Sequence, residues 1–568
     1  MAEAARDDAA RASTGSYHRA KVLAYILCGI LTLTGLLVPP SLSHDAGWGM
    51  QEWRTLSTGG PINTLVSPDP ADISRDQASR VTWWSPGQYL VPGILTLLGV
   101  RLGTALTITV GASLLCCLLG WIAVAKHFAL SPRAAMLIVA FMATFRYSTL
   151  PFGIYNGGEV LLQAITPWLI LAGCCIPSMT ALRAVGLACL AIWVAFFAKL
   201  TGVMVASAAL LTCSVEALVR LRRITAGMVA GAVGASVAFG SLYLVWFSRG
   251  TTPASGTGWA FRLSEVFFAL AAPSGAGVSW EDMLAALLRR SASNDPIEGS
   301  LPSVILWLLL PPVFLFLTVI LKGWREYADD AMLRKLLKIT VGFYAVCALA
   351  MSAIFAHGGD VSLEERHLRA AGMLVFVCLL AVSSRLPRNS VIRLTVGALC
   401  VLMSLFGSIA FAHRAWSTKQ GQIDRYSRTH QPSVDESGIE FLRTEFEREG
   451  RDALFVLPSP DVACAFPPKA RILSNHIEFE SEATISARTY RGKVPGRLYV
   501  VLPTRIAQSV KGSLLLKEFV DYPPNTWESH SFGSSTVLVQ QGTDAAAIGD
   551  SQTYTEGATH TRTYSGVY

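Results

Sequence analysis

Charge is scarce in this chain. Asp, Glu, Lys and Arg make up 15% of 568 residues and hydrophobic residues 52%; a soluble protein of this length needs far more charged surface. Cysteine is nearly missing from the polar regions. Ten of the eleven cysteines lie inside apolar blocks, and only Cys464 falls in the polar C-terminal part. That excludes an internal disulfide there, and the chain has no C-x-x-C spacing for zinc. There is no N-x-[ST] sequon, which favours a bacterial source, no glycine-rich phosphate loop and no repeat of 20–50 residues. The first apolar block ends at Pro39-Pro40 without a small-residue cleavage site, so it is expected to remain as an anchor. A net charge of +8 is modest, and its Lys and Arg sit mostly in short loops between apolar blocks. That pattern carries topology information and is no nucleic-acid surface.

What is present is a series of apolar blocks of roughly 16–24 residues, long enough to cross a bilayer as helices. The chain divides into a cytoplasmic tail (1–21), a transmembrane domain (22–412) with a first external loop at 41–103, an extracytoplasmic α/β domain (413–542) and a disordered tail (543–568). The expected spans are 22–40, 104–125, 134–151, 160–176, 184–199, 201–218, 225–247, 302–321, 339–356, 369–384 and 394–412, about eleven in all. The segment 86–100, with Pro86 and Pro92 near its start, is read as interfacial or dipping. With that choice the basic loops 219–223, 322–338 and 385–393 all face the cytoplasm, and the C-terminus lies outside. Beyond 413 the pattern changes. Helical spacing at 435–450 and 505–519 alternates with the short apolar strands 453–458, 497–503 and 535–541.

Five polar features on the external side have no obvious topological task. Asp45 opens SHDAGWGMQEWRTLSTGG (43–60), where 46–56 can form an amphipathic helix on the membrane with Trp48 and Trp53 at the interface. Asp45 reads either as that helix's cap or as a general base on a hydroxyl. TWWSPGQYLVPG (82–93), with Trp84, reads as an interfacial element or as ordinary belt aromatics. Glu159 stands at a helix mouth after Gly157-Gly158, either a solvated helix-start acid or a substrate ligand. Lys199, in AFFAKLTG, interrupts apolar sequence; it marks a snorkelling turn or serves as a point charge for a phosphate headgroup. In HGGDVSLEERHLRAAG (357–372), Glu364, Glu365, Arg366, His367 and Arg369 crowd an external helix start. An i,i+4 ion pair between Glu365 and Arg369 stands beside a phosphate-gripping role for arginine. His357 and His367 lack a metal-ligand spacing.

Taken in order, these motifs resemble the GT-C superfamily of membrane glycosyltransferases, which includes protein O-mannosyltransferases and lipid A aminoarabinose transferases. DAGWGMQEWRTLSTGG is similar to the superfamily's first-loop acid and surface helix, TWWSPGQYLVPG to its "HPP" segment, NGGEVLL to its second acidic motif, AKLTG to its "TKG" turn and EERHLRAAG to its "ERYLLP" motif. Ser85 replaces the first proline of the pair, Glu159 an aspartate, and Ala370 and Ala371 lie where a proline is usual. The resemblance covers roughly 20–412. It implies an inverting transfer from a polyprenyl-phosphate-linked sugar to a glycan, lipid or protein hydroxyl at the outer face of a bacterial inner membrane. Asp45 would be the base. Lys199, Arg366 and Arg54 would balance the leaving phosphate, and Glu159, Glu365, His367 and Trp84 would line the substrate. No cofactor is implied. The first loop lacks a D-x-D pair, so metal independence is favoured; Asp69, Asp72 and Asp76 read as turn residues. Two other readings compete. A transporter needs polar residues near mid-membrane and broken helices in two related halves, and neither is found. A non-catalytic envelope-glycan assembly protein would keep the fold without the chemistry.

Overall fold

The computed structural model describes residues 2–251, 262–287, 307–358, 361, 363–421, 423–431, 433–475, 477–478, 480–523 and 526–541, with side chains from residue 17 onward except at 285 and 420. The tail expected beyond 543 lies outside these residues, as does part of the loop 248–301. The chain is a polytopic α-helical membrane protein with a small C-terminal α/β domain. Among the described residues eight helices are long and apolar enough to cross a bilayer, or nine if the pair Pro132–Thr144 and Arg146–Phe152, bent by 61°, counts as one. Apolar runs of this length become helices because a bilayer offers no partner for backbone N–H and C=O groups.

The spans differ from expectation in instructive ways. The first helix runs from Ala2 to Leu37, so the expected tail 1–21 is helical from residue 2. Of the eleven expected spans, 369–384 is the 15-residue helix Arg369–Ser383, buried along its whole length, while 302–321 begins outside the described residues and continues in Leu310–Glu326, whose last two turns hold Lys322, Arg325 and Glu326. A 14-residue helix, Leu263–Ala276, lies inside the expected loop 248–301. Its composition is apolar, but it is too short to read as a span. The segment 86–100 holds the helix Gly87–Leu97, 11 residues long and likewise too short to cross. One side of it is held tightly: a Cβ on Gly93 would lie 2.3 Å from the Trp53 ring, and one on Gly87 2.3 Å from the Phe197 carbonyl. Its other side leaves Ile94 and Leu97 exposed, as suits a helix lying in an interface.

The last long helix, Val391–Gln420, outruns the expected boundary at 412 by two turns. The C-terminal domain that follows is a five-stranded sheet in the order Arg471–Ser474, Leu454–Leu457, Arg497–Pro503, Ser535–Gln541, Glu528–Phe532. The first three strands are parallel and the last two antiparallel to their neighbours. Alternate residues feed two cores. Phe455, Leu457, Tyr499 and Val501 pack toward the helix Glu436–Glu449, and Leu454, Val456, Leu498 and Val500 toward Val510–Lys517. Strands buried on both faces read as unbroken apolar runs, hence LFVL and LYVVLP. Strands Arg471–Ser474 and Glu528–Phe532 are too short or too polar to show in the pattern.

The first loop and this domain form one body. The loop carries an antiparallel hairpin, Thr64–Asp69 with Asp72–Arg80. Ile73 at its tip is buried in the domain's second core. Arg471 donates to the Ile73 carbonyl at 2.7 Å and pairs with Asp76 at 2.8 Å, so Asp76, expected in a turn, stands within a strand opposite Pro68 and docks the domain. Arg54, expected to balance a phosphate, is instead a buried anchor. Its guanidinium donates to the carbonyls of Ala463, Phe466, Pro467 and Ala470. Burial lowers its pKa to about 10, with the Cys464 thiol acting in the opposite sense. Arg54→Ala should strip four carbonyls of their donor at a cost of roughly 3 kcal/mol. Limited proteolysis in detergent should then release a fragment starting near residue 421 at least tenfold faster than from wild type; an unchanged rate would refute the anchor role.

Candidate active site

The site is assembled where four chain breaks meet on the domain-bearing face of the helix bundle. The helix His44–Ser57 begins at Ser43, whose hydroxyl accepts from the Ala46 amide. The cap is therefore Ser43, which leaves the Asp45 side chain in the first turn to face other partners. A two-residue parallel bridge, Ser41–Leu42 against Ile154–Tyr155, lays this helix start beside the start of Gly158–Cys175. Gly157 precedes that helix with φ +66°, a backbone only glycine adopts at little cost, and a Cβ there would meet Gln88 Oε1 at 2.5 Å. Lys199 lies in the gap between Ala181–Ala198 and Gly202–Leu221. Arg366 is carried by the tight turn Glu365–His367.

These four residues come together. Lys199 Nζ lies 2.7 Å from Glu159 Oε1. Arg366 spans the group: Nη1 is 3.7 Å from Glu159, Nη2 3.7 Å from Asp45, and Nε 2.6 Å from Glu364. Three carboxylates thus surround two cations. The Glu159 side chain is 9% exposed, Glu364 27% and Asp45 31%, so Asp45 is by a small margin the most exposed of the three acids. Burial holds the Lys199 ammonium below its ordinary pKa and Arg366 adds to that, while Glu159 pulls it back up. His367 is near enough to Lys199, Arg366 and Arg369 to feel their charge. With burial as the larger cause, it is kept neutral well below its usual pKa. Chemically, the cluster offers two part-exposed carboxylates beside two cations, and of the two Asp45 is the less tightly held, 3.7 Å from Arg366 against 2.6 Å for Glu364.

The remaining sequence candidates lie differently. Glu365, expected to line the substrate, accepts from the Glu281 amide and pairs with Arg369 at 3.6 Å. Trp84 meets Trp83 edge-on at 6.0 Å, and its carbonyl accepts from Asn63 at 2.7 Å. Among the described residues no three His, Cys, Asp or Glu side chains converge as a metal site would require. The sequence reading missed Glu364's direct bond to Arg366, the carboxyls Glu281 and Asp282, and a groove of 410 Å³. Trp193, Phe196, Leu90 and Trp246 wall that groove, and Arg80 and Arg249 also line it. The Arg80 guanidinium lies 5.8 Å from the Trp246 ring centre. Phe196 stands three residues before Lys199, so the groove opens close to the charged cluster.

No protein-family model and no curated protein sequence matches the chain. Solved structures similar to it include the arabinofuranosyltransferase AftD from Mycobacteria, with 12% identity and a TM-score of 0.44 over 92% of this chain. Another is ArnT from Cupriavidus metallidurans bound to undecaprenyl phosphate, with 13% identity and a TM-score of 0.43 over 91%. The chain spans 40% of the AftD chain's length and 97% of the ArnT chain's. A likeness this faint bears no weight in the functional reading, which rests on the residues.

Lys199 and Glu159 should prove energetically coupled. Lys199→Met leaves a buried carboxylate with one cation fewer and should cost roughly 3 kcal/mol of stability. Adding Glu159→Gln should recover part of that loss, with a coupling of about 1–3 kcal/mol in a thermal-unfolding double-mutant cycle. Simple additivity would mean that the contact is not formed.

Proposed function

We propose that this chain is a membrane glycosyltransferase. It moves a sugar from a polyprenyl-phosphate-linked donor to an acceptor hydroxyl on the extracytoplasmic face of a bacterial inner membrane, with inversion at the anomeric carbon. The observation that carries the reading is the Arg366 bridge, which holds a solvent-facing carboxylate, Asp45, beside two cations at the end of the bundle. An inverting transfer needs a base for the incoming hydroxyl and positive charge for the departing phosphate. Asp45 takes the acceptor proton, the acceptor oxygen attacks the anomeric carbon, and the bond from that carbon to the phosphate oxygen breaks. The charge left on the phosphate is balanced by Lys199 and Arg366. The aromatic groove suits an isoprenoid chain. Arg54 has no part in this reading. Metal-free transfer is expected, so a chelator wash should leave the rate unchanged.

The first test compares membranes holding wild type, Asp45→Asn and Lys199→Ala for transfer from radiolabelled polyprenyl-phosphate sugars into endogenous acceptors. Asp45→Asn should lower transfer at least 100-fold, the scale of a lost general base, and Lys199→Ala about tenfold or more, both with normal expression. Undiminished transfer by Asp45→Asn would remove the base. An inactive wild type would favour the non-catalytic envelope-glycan assembly reading.

A further inference from the structure

Behind the Arg366 cluster lies a second set of charges. It is built from the start of the helix Trp280–Leu287 and the turn Glu365–His367. Two residues 84 positions apart exchange the same bond. The Glu281 amide donates to Glu365 Oε2 at 3.0 Å, and the Glu365 amide donates to Glu281 Oε2 at 2.5 Å. Both residues are buried. Arg369 Nη2 lies 3.6 Å from Glu365 and 3.6 Å from Asp282, and Arg146 lies 3.9 Å from Asp282. The Arg369 guanidinium also covers the Tyr147 ring at 5.4 Å. Two cations therefore serve three carboxyls, and Glu364, the next nearest, is already engaged by Arg366.

We infer that Glu281 is a positioning residue: its clasp with Glu365 fixes the turn that presents Arg366 to Asp45 and Glu159. The inference rests on the glycosyl-transfer reading above and adds a residue to it. Arg366 directly follows Glu365 in a turn closed by the Leu368 amide on the Glu365 carbonyl at 3.0 Å. Neighbouring side chains in such a turn point to different sides. Glu365 faces the clasp while Arg366 faces the reaction centre. A cavity of 10 Å³, about the size of one water, separates the two charge sets; its lining includes Glu159, Gln163, Thr166, Arg366 and Arg369. That space gives the Arg366 side chain no room to move toward Arg369, and Asp45, Glu159 and Glu364 hold it on the other side; its backbone position follows that of Glu365, its neighbour in the turn.

The clasp is a pair of carboxyls, and a buried pair is stable with one proton fewer than two. Burial pushes the Glu365 carboxyl up to about 8, with Asp282 adding to the rise and Arg369 opposing it. Burial, and then Glu365, Glu364 and Asp282, push Glu281 well above the carboxylate range. Carboxyls raised in this way contribute stability that is present at low pH and is lost as pH climbs from the unfolded value toward the folded one. Ionisation of the clasp as pH rises past about 8 sets carboxylate against carboxylate and loosens the turn.

The test uses the full chain in lipid nanodiscs, as wild type, Glu281→Ala and Glu281→Gln. Gln keeps an oxygen for the Glu365 amide but does not titrate. Two readouts are taken from pH 6 to 9.5: hydrogen exchange at the amides of 364–368, corrected for intrinsic rate, and kcat and KM for a polyprenyl-phosphate sugar. Glu281→Ala should speed exchange and lower kcat by about tenfold or more, with KM changed by less than about threefold. Glu281→Gln should restore both at pH 7 and move the alkaline fall in kcat up by more than about one pH unit. Unchanged exchange in Glu281→Ala, or equal losses in both variants with no shift of the alkaline limb, would overturn the inference. If wild type transfers no sugar, the glycosyl-transfer reading falls by itself, and exchange still decides the clasp: opening near pH 8 in wild type and not in Glu281→Gln sustains it, and no opening in wild type overturns it.

Discussion

One guanidinium, that of Arg366, ties together three parts of the chain that the apolar core and the bridge between Ser41–Leu42 and Ile154–Tyr155 bring within its reach. It joins the first external loop through Asp45, a membrane helix through Glu159, and its own turn through Glu364. Arginine suits the task because its planar fork offers donors on several edges at once, whereas an ammonium is a point charge. Each contact is made where the protein is partly dry, so each is worth more than a pair on an open surface and costs more to leave unmade. Lys199 completes the arrangement by sharing Glu159 Oε1 with Arg366.

The helices and the change to an α/β pattern were legible because both follow from composition, long apolar runs and then alternating short strands and helices, whereas the last long helix runs on to Gln420, past the change expected at 413. Asp45, Glu159, Lys199 and Arg366 were legible for a related reason, each being an ionisable residue at the end of an apolar block. Arg54 was misplaced because proximity in sequence was read as proximity in space. Nine residues of helix at about 100° each turn it to the side opposite Asp45, where the C-terminal domain waits. Glu365 was misplaced on a finer scale, since adjacent residues of a tight turn serve different neighbours. Glu281 could not be found at all, because its partner is 84 residues away and no local pattern reports such a pairing.

The C-terminal domain was equally opaque in one respect. Its strands could be read, but its attachment could not. The hairpin that fills its second core comes from the first loop, and polar sequence such as DISRDQASR gives no apolar alternation to announce a strand. What secures the domain is Ile73 under its sheet and Arg54 among its loop carbonyls. Gly47 lies so close to the loop at Asp461 that a Cβ there would come within 2.8 Å of its backbone nitrogen. The helix bearing Asp45 is thus sandwiched, with the domain on one side and the short helix Gly87–Leu97 on the other.

The bridge between Ser41–Leu42 and Ile154–Tyr155 has a consequence for how this chain can vary. Asp45 lies three residues beyond Leu42, and Glu159 four beyond Tyr155. The bridge works as the zero mark of two rulers, and each carboxylate is placed by counting from it. Gaining or losing one residue in either short stretch would rotate the helix start by about 100° and swing its acid away from Arg366. Exchange of residue type at many of these positions leaves the count intact. Variation across natural versions of this protein is therefore expected in the letters of both segments and not in their lengths.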